Sequence, residues 1–162
     1  MKTVIIFASK HGTTEKVANI IAGKLQNEEV KLFRLQHPKR LTLQLREADR
    51  IILGSPVYGG RIQKIMTRFC QLHSEELQKK ELGLFVCGMQ PTEEQRYEEM
   101  QRAYQPVLTG HARALGFMGG EFLFHKMNFL ERWVVKKVAK TTYSISQLDE
   151  PAIDKFVNDL SR

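Results

Sequence analysis

The chain opens on an apolar run from Thr3 to Phe7, rich in β-branched residues, the pattern of a strand buried on both faces. Val17, Ile20, Ile21 and Leu25 then recur at helical spacing and predict a helix from about Thr13 to Leu25, packed on a sheet. Val30, Leu32, Phe33 and Leu35 predict an edge strand, which His37-Pro38 ends. Leu41 to Arg46 suits a short helix, and Arg50 to Gly54 reads as a second buried strand. Ile62 to Leu77 is amphipathic, with Ile65, Phe69, Leu72 and Leu77 on its apolar face. Leu82 to Cys87 repeats the buried-strand pattern and stops at Gly88. Thr92 to Leu115 reads as one long helix, kinked or broken at Pro106. Gly119 to Phe124 supplies the fifth strand. Pro151 to Leu160 closes the chain as a helix, with proline in its first turn and Ile153, Phe156, Val157 and Leu160 facing inward.

Strands alternate with helices throughout, which predicts a doubly wound α/β sheet of parallel strands in a single domain spanning residues 1–162. Such sheets bind ligands beyond the carboxyl ends of their strands, at the topological switch point. The strand ends near Ser9, Gly54 and Cys87 converge there.

Composition narrows the picture. The chain is 42% hydrophobic, which argues against disorder. Its two cysteines, Cys70 and Cys87, have no C-x-x-C context, so neither a disulfide framework nor a zinc knuckle is expected. The five histidines lack metal-ligand spacing, so no metal is expected either. A cytoplasmic home follows from the cysteine usage. The first apolar run is too short for a signal peptide, and no segment approaches the roughly 18 to 20 apolar residues of a membrane span. A net charge of +7 draws the chain towards anionic partners without choosing among nucleic acid, lipid and acidic small molecules.

The chemistry concentrates in three loops. Ser9-Lys10-His11-Gly12-Thr13-Thr14 joins the first strand to the first helix. The helix N-terminus presents free N–H groups and a positive dipole end, the hydroxyls add donors, and Gly12 permits a tight turn. That makes a phosphate cradle, without the spacing of a Walker loop or a dinucleotide fingerprint. A plain capped helix after a strand has the same pattern. The second loop, Gly54-Ser55-Pro56-Val57-Tyr58-Gly59-Gly60, reads as a turn that exposes one aromatic between glycines. Tyr58 can stack on a planar ring there, or serve only the turn. The third loop, Gly88-Met89-Gln90-Pro91, reaches the same rim, and Thr92 with Glu93 and Glu94 suits a helix cap better than a chemical role.

On these residues the chain resembles the flavodoxin domain family. The 9–14 segment is similar to that family's T/S-x-T-G-x-T phosphate loop, with His11 where threonine is usual. The 54–60 segment resembles its second flavin loop, and Gly88, Met89 and Gln90 fall at the third. The resemblance implies a five-stranded parallel sheet in the order 2-1-3-4-5 and flavin mononucleotide (FMN) as cofactor. It implies that Ser9, Lys10, His11, Gly12, Thr13 and Thr14 hold the phosphate. Ser55, Pro56, Val57, Tyr58, Gly59, Gly60 and the third loop then surround the flavin.

A further segment, about 124–148, is basic and aromatic. Wound as a helix it places Phe124, Met127, Leu130, Val134, Val135 and Val138 on one face. Phe129, Arg132, Trp133, Lys136 and Lys137 then fall on the other, suited to an anionic membrane interface or a carboxylated ligand, or simply to a solvated basic face. Here the chain is similar to bacterial menaquinone-dependent protoporphyrinogen oxidases. That resemblance implies oxidation of a porphyrinogen, electrons passed to menaquinone, and peripheral contact with the inner face of the membrane. Two other functions compete. A flavodoxin-type electron carrier fits the loops, although the positive charge repels the basic partners of acidic carriers. A flavin-free nucleic-acid binder leaves the three loops unexplained and is not expected. No residue reads as a proton-transfer catalyst.

Overall fold

The computed structural model describes residues 1–122 and 145–162. Elements follow in the order β1 (Lys2–Phe7), α1 (Thr13–Lys24), β2 (Glu29–Arg34), α2 (Thr42–Glu47), β3 (Arg50–Tyr58), β4 (Arg61–Ile62), α3 (Lys64–Leu72) and α4 (Ser74–Gln78). The rest are β5 (Glu81–Cys87), α5 (Glu93–Ala103), α6 (Pro106–His111), β6 (Ala114–Phe117), β7 (Gly119–Phe122), β8 (Ile145–Leu148) and α7 (Glu150–Leu160). Five strands run parallel in the order β2-β1-β3-β5-β6, and β4 adds antiparallel to β3. Counting the parallel strands alone, the order is 2-1-3-4-5, as the resemblance implies.

The strands are apolar on both faces because helices cover both. Val4, Ile6, Ile51, Leu53, Leu82, Leu84 and Val86 meet α2 to α6 through Leu45, Met66, Phe69, Leu77, Met100 and Leu108. Ile5, Phe7, Ile52 and Phe85 meet α1 and α7 through Val17, Ile21, Ile153 and Phe156. Leu72, expected to face the core, is largely exposed because α3 ends there and the chain turns into α4. Buried Leu77 belongs to that second short helix.

Three expectations need correction. The fifth parallel strand is Ala114–Phe117, paired with β5 from Gly83↔Ala114 to Val86↔Phe117. Gly119–Phe122 is also a strand, but it pairs antiparallel with β8, whose residues close the segment expected as an insert. The long helix stops at Ala103, and α6 restarts on Pro106, which needs no N–H at a helix start. The second loop does not turn at Gly54-Ser55-Pro56. These residues continue β3 in register with β5 as far as Pro56↔Cys87. Proline is tolerated because β1 has ended: Ala8 N–H donates to the Gly54 carbonyl at 2.9 Å, and Pro56 faces the same edge one step beyond.

Both ends of the central strand are specialised. At its amino end Arg50 is 3% exposed. Its guanidinium pairs with Glu28 at 2.6 Å and Glu81 at 3.0 Å, and donates to the Leu160 carbonyl at 2.9 Å. One cation thus joins the start of β2, the start of β5 and the end of α7. At the carboxyl end, Gly54 lies under the Phe85 ring. A Cβ there would meet Phe85 Cζ at 2.0 Å. Tyr104, the residue after α5, donates its hydroxyl to the Phe85 carbonyl at 2.9 Å, and burial pushes its ionisation well up, so it stays a donor. No helix among the described residues is long and apolar enough to cross a membrane.

Gly54→Ala is therefore expected to cost about 1–3 kcal/mol through overpacking. Phe85→Leu placed in the same chain should recover part of it, read by urea unfolding as a double-mutant cycle.

Candidate functional site

The parallel pairing of β1, β3 and β5 brings three loops to one edge of the sheet. The chain leaves β1 towards β2 on one side and returns to β3 on the other, so the first two loops flank the switch point.

The first loop is built on Gly12, whose φ of 94° is left-handed and closed to most side chains. Its N–H donates to Ser9 Oγ at 3.0 Å, and its carbonyl accepts the Lys16 N–H at 3.0 Å. Arg34, at the end of β2, donates to the Ser9 carbonyl at 2.9 Å and braces the loop. No side chain caps α1. Thr14, in the first helical turn, is 1% exposed and its hydroxyl has no hydrogen-bond partner among the described residues. A buried unpaired hydroxyl is costly, and a phosphate on this helix end would satisfy it. The donor set thus fits the phosphate of FMN.

The second loop is a two-residue hairpin. Gly59 and Gly60 both have positive φ, 59° and 77°, between Tyr58 and its partner Arg61. Positive φ at both central positions is the requirement of a type I′ turn. Tyr58 stands at its shoulder, 52% exposed. Pro56 and Val57 are buried beneath it. Ser55 is fully buried, and its hydroxyl accepts the Gln63 N–H at 3.1 Å and donates to the Pro56 carbonyl. It ties the hairpin to the start of α3 from inside.

The third loop is fixed by its neighbours. Gly88 N–H donates to the Gly119 carbonyl at 2.9 Å, and a Cβ at Gly120 would meet the Gly88 oxygen at 2.8 Å. Arg96 donates from Nε to the Gln90 carbonyl at 2.8 Å, pairs with Asp149 at 3.2 Å, and lies 5.5 Å from the Phe117 ring centre. Thr92 caps α5 by accepting the Gln95 N–H at 3.2 Å, and Glu93 and Glu94 occupy the first turn.

One site residue escaped the sequence reading. Glu99 on α5 is 9% exposed and accepts hydrogen bonds from the Gly60 backbone and the Gln90 side chain. It therefore bridges the second and third loops. Burial raises its pKa above the ordinary glutamate value, those two bonds oppose the rise, and one carboxyl oxygen remains unpartnered. Its signal was absent because it sits within the acidic helix sequence Glu93-Glu94-Gln95-Arg96-Tyr97-Glu98-Glu99. Cys70 is buried core, its thiol pushed up to about 12 by burial, and Cys87 is buried as well. Phe129, Arg132, Trp133, Lys136 and Lys137 lie outside the described residues.

The flavodoxin domain model matches residues 4–149, nearly the whole chain. The chain belongs to the flavodoxin domain family. Among individual proteins it is similar to protoporphyrinogen IX dehydrogenase [quinone] of Escherichia coli strain K12, 17% identical over 149 residues, covering 86% of this chain and 80% of that protein. A short-chain flavodoxin associated with a PDU bacterial microcompartment superposes with a TM-score of 0.63 at 14% identity, over 99% of this chain and 97% of its own. A Fusobacterium nucleatum flavodoxin variant, solved bound to FMN, gives 0.51 at 18% identity, over 68% and 65%.

Two outcomes are expected. Thr14→Val removes an unpartnered oxygen, so the flavin-free protein should hold or gain melting temperature. FMN should bind about tenfold or more weakly, since a bond to a charged group contributes about 1.5–3 kcal/mol. Glu99 binds its proton more tightly folded than unfolded. Its contribution to stability is therefore full below the ordinary glutamate pKa and is lost as pH rises through the raised folded value. Glu99→Gln should remove that loss, so the stability difference between variant and parent grows with pH across that window in urea titrations.

Proposed function

We propose that this chain is an FMN-dependent oxidoreductase that oxidises a porphyrinogen and delivers the electrons to menaquinone. The observation that carries the flavin part is the rim itself: the uncapped α1 with its unpartnered Thr14 hydroxyl, and Tyr58 exposed on a rigid hairpin beside it. The likeness to protoporphyrinogen IX dehydrogenase across 86% of the chain supports the substrate and the acceptor.

When bound, FMN supplies the electron-accepting and electron-donating chemistry. The chain supplies the setting. Ser9, Gly12 and Thr14 with the first turn of α1 hold the phosphate, and Lys10, His11 and Thr13 complete that loop. Tyr58 covers one face of the ring. Gly88, Met89 and Gln90 form the opposite wall, held by Arg96 and Glu99. The net charge of +7 favours an anionic substrate and contact with anionic lipid, where a quinone acceptor is found, from the cytoplasmic side.

The test is anaerobic. FMN-loaded protein receives protoporphyrinogen and a menaquinone analogue, and porphyrin fluorescence is followed against free flavin. Porphyrin appearing only with both protein-bound FMN and quinone is the expected result. Bound flavin that reduces and reoxidises without porphyrin formation overturns the oxidase assignment and returns the chain to an electron carrier. Failure to bind FMN overturns both.

A further inference from the structure

Beside the second loop, α3 and α5 enclose a cleft of about 460 Å³. Its charged lining is entirely positive: Arg61, Lys64, Arg68 and Arg102. None of the four forms an ion pair among the described residues. Lys64, Arg68 and Gln71 recur at helical spacing along one stripe of α3, with Arg102 across from them on α5. Lys64 is also the first residue of α3, a helix with no acid in its first turn. The backbone dipole there is already positive, so a cation at that position opposes helix formation rather than assisting it. Four cations with no ion pair among the described residues line one hollow, and an anion seated there relieves their mutual repulsion.

The cleft does not stand apart from the rim. Gly60, Arg61 and Arg102 also line an adjoining hollow of about 320 Å³ that carries Gln90, Glu98 and Glu99. Both acids lie on that side together with Arg61 and Arg102, so the charge passes from wholly positive in the cleft to mixed beside the third loop.

We propose that this cleft seats an anionic ligand with two carboxylate or phosphate groups about one helical turn, roughly 6 Å, apart, while its remaining body extends towards Tyr58 and Gln90. Three of the four cations are arginines, whose planar forks pair bidentately with either oxyanion. The volume suits a small molecule. The inference rests on the flavin reading for what the ligand is used for, and on the cleft alone for its binding.

Binding is tested on the full chain, with and without FMN, by fluorescence titration at low salt. The probes are mesoporphyrin IX, its dimethyl ester and inorganic tripolyphosphate. The free acid should bind at least tenfold more tightly than the ester. Arg68→Ala with Arg102→Ala should weaken the acid at least tenfold and leave FMN binding and the melting temperature unchanged. Single Arg68→Gln is the milder variant should the pair disturb folding, and it should shift the acid's affinity in the same direction. Displacement of the acid by tripolyphosphate identifies a phosphate site, and persistence identifies a carboxylate site. Equal affinity for acid and ester, or unchanged affinity in the variants, overturns the proposal. FMN binding without acid preference refutes this cleft and spares the flavin reading; acid preference without FMN binding does the reverse.

Discussion

The ladder β1-β3-β5 is the constraint on which the rest depends. Three neighbouring strands run parallel, so each must leave the sheet at the same edge, and whatever follows them meets there. Parallel strands need crossovers, the crossovers are helices, and the helices require both faces of every central strand to be apolar. The ladder is held at both ends of its middle strand. Arg50 gathers Glu28, Glu81 and the last carbonyl of α7 at one end. At the other, the missing Cβ of Gly54 lets Phe85 cross the sheet surface beneath the rim. Breaking a buried pair such as Arg50 with its acids typically costs about 3–5 kcal/mol, because a desolvated charge is left behind.

The residues that could be read from sequence are those whose signal is local. Thr3 to Phe7, Arg50 to Gly54 and Leu82 to Cys87 are continuous apolar runs, and only a twice-covered strand uses them in a chain of this composition. The 9–14 loop was readable because a turn before a helix carries its own residue types. Ala114–Phe117 was missed because a four-residue strand after a helix looks like the last turn of that helix. Pro56 misled because its tolerance depends on where β1 stops, which is a fact about another strand. Glu99 could not be found at all. Its meaning comes from the Gly60 backbone and Gln90, far apart in the chain and adjacent only after folding.

Charge gains meaning through position. The excess of +7 says only that anions are favoured. The fold separates the balanced cations from the rest: Arg50, Arg96 and Arg113 are spent on Glu28, Asp149 and Glu81, holding the sheet and the third loop in place. Arg61, Lys64, Arg68 and Arg102 have no such employment among the described residues, and they share one hollow next to the loops.

The two-glycine hairpin bears on more than geometry. A ring carried by a long loop loses conformational freedom each time it closes on a ligand, and that loss subtracts from affinity. Tyr58 is the last residue of β3, paired with Arg61 across the hairpin, on the shortest connection that two antiparallel strands commonly use. Most of its ordering is complete before any ligand arrives. In the flavin site proposed above, a ring held in this way meets the ligand at little further cost in conformational entropy.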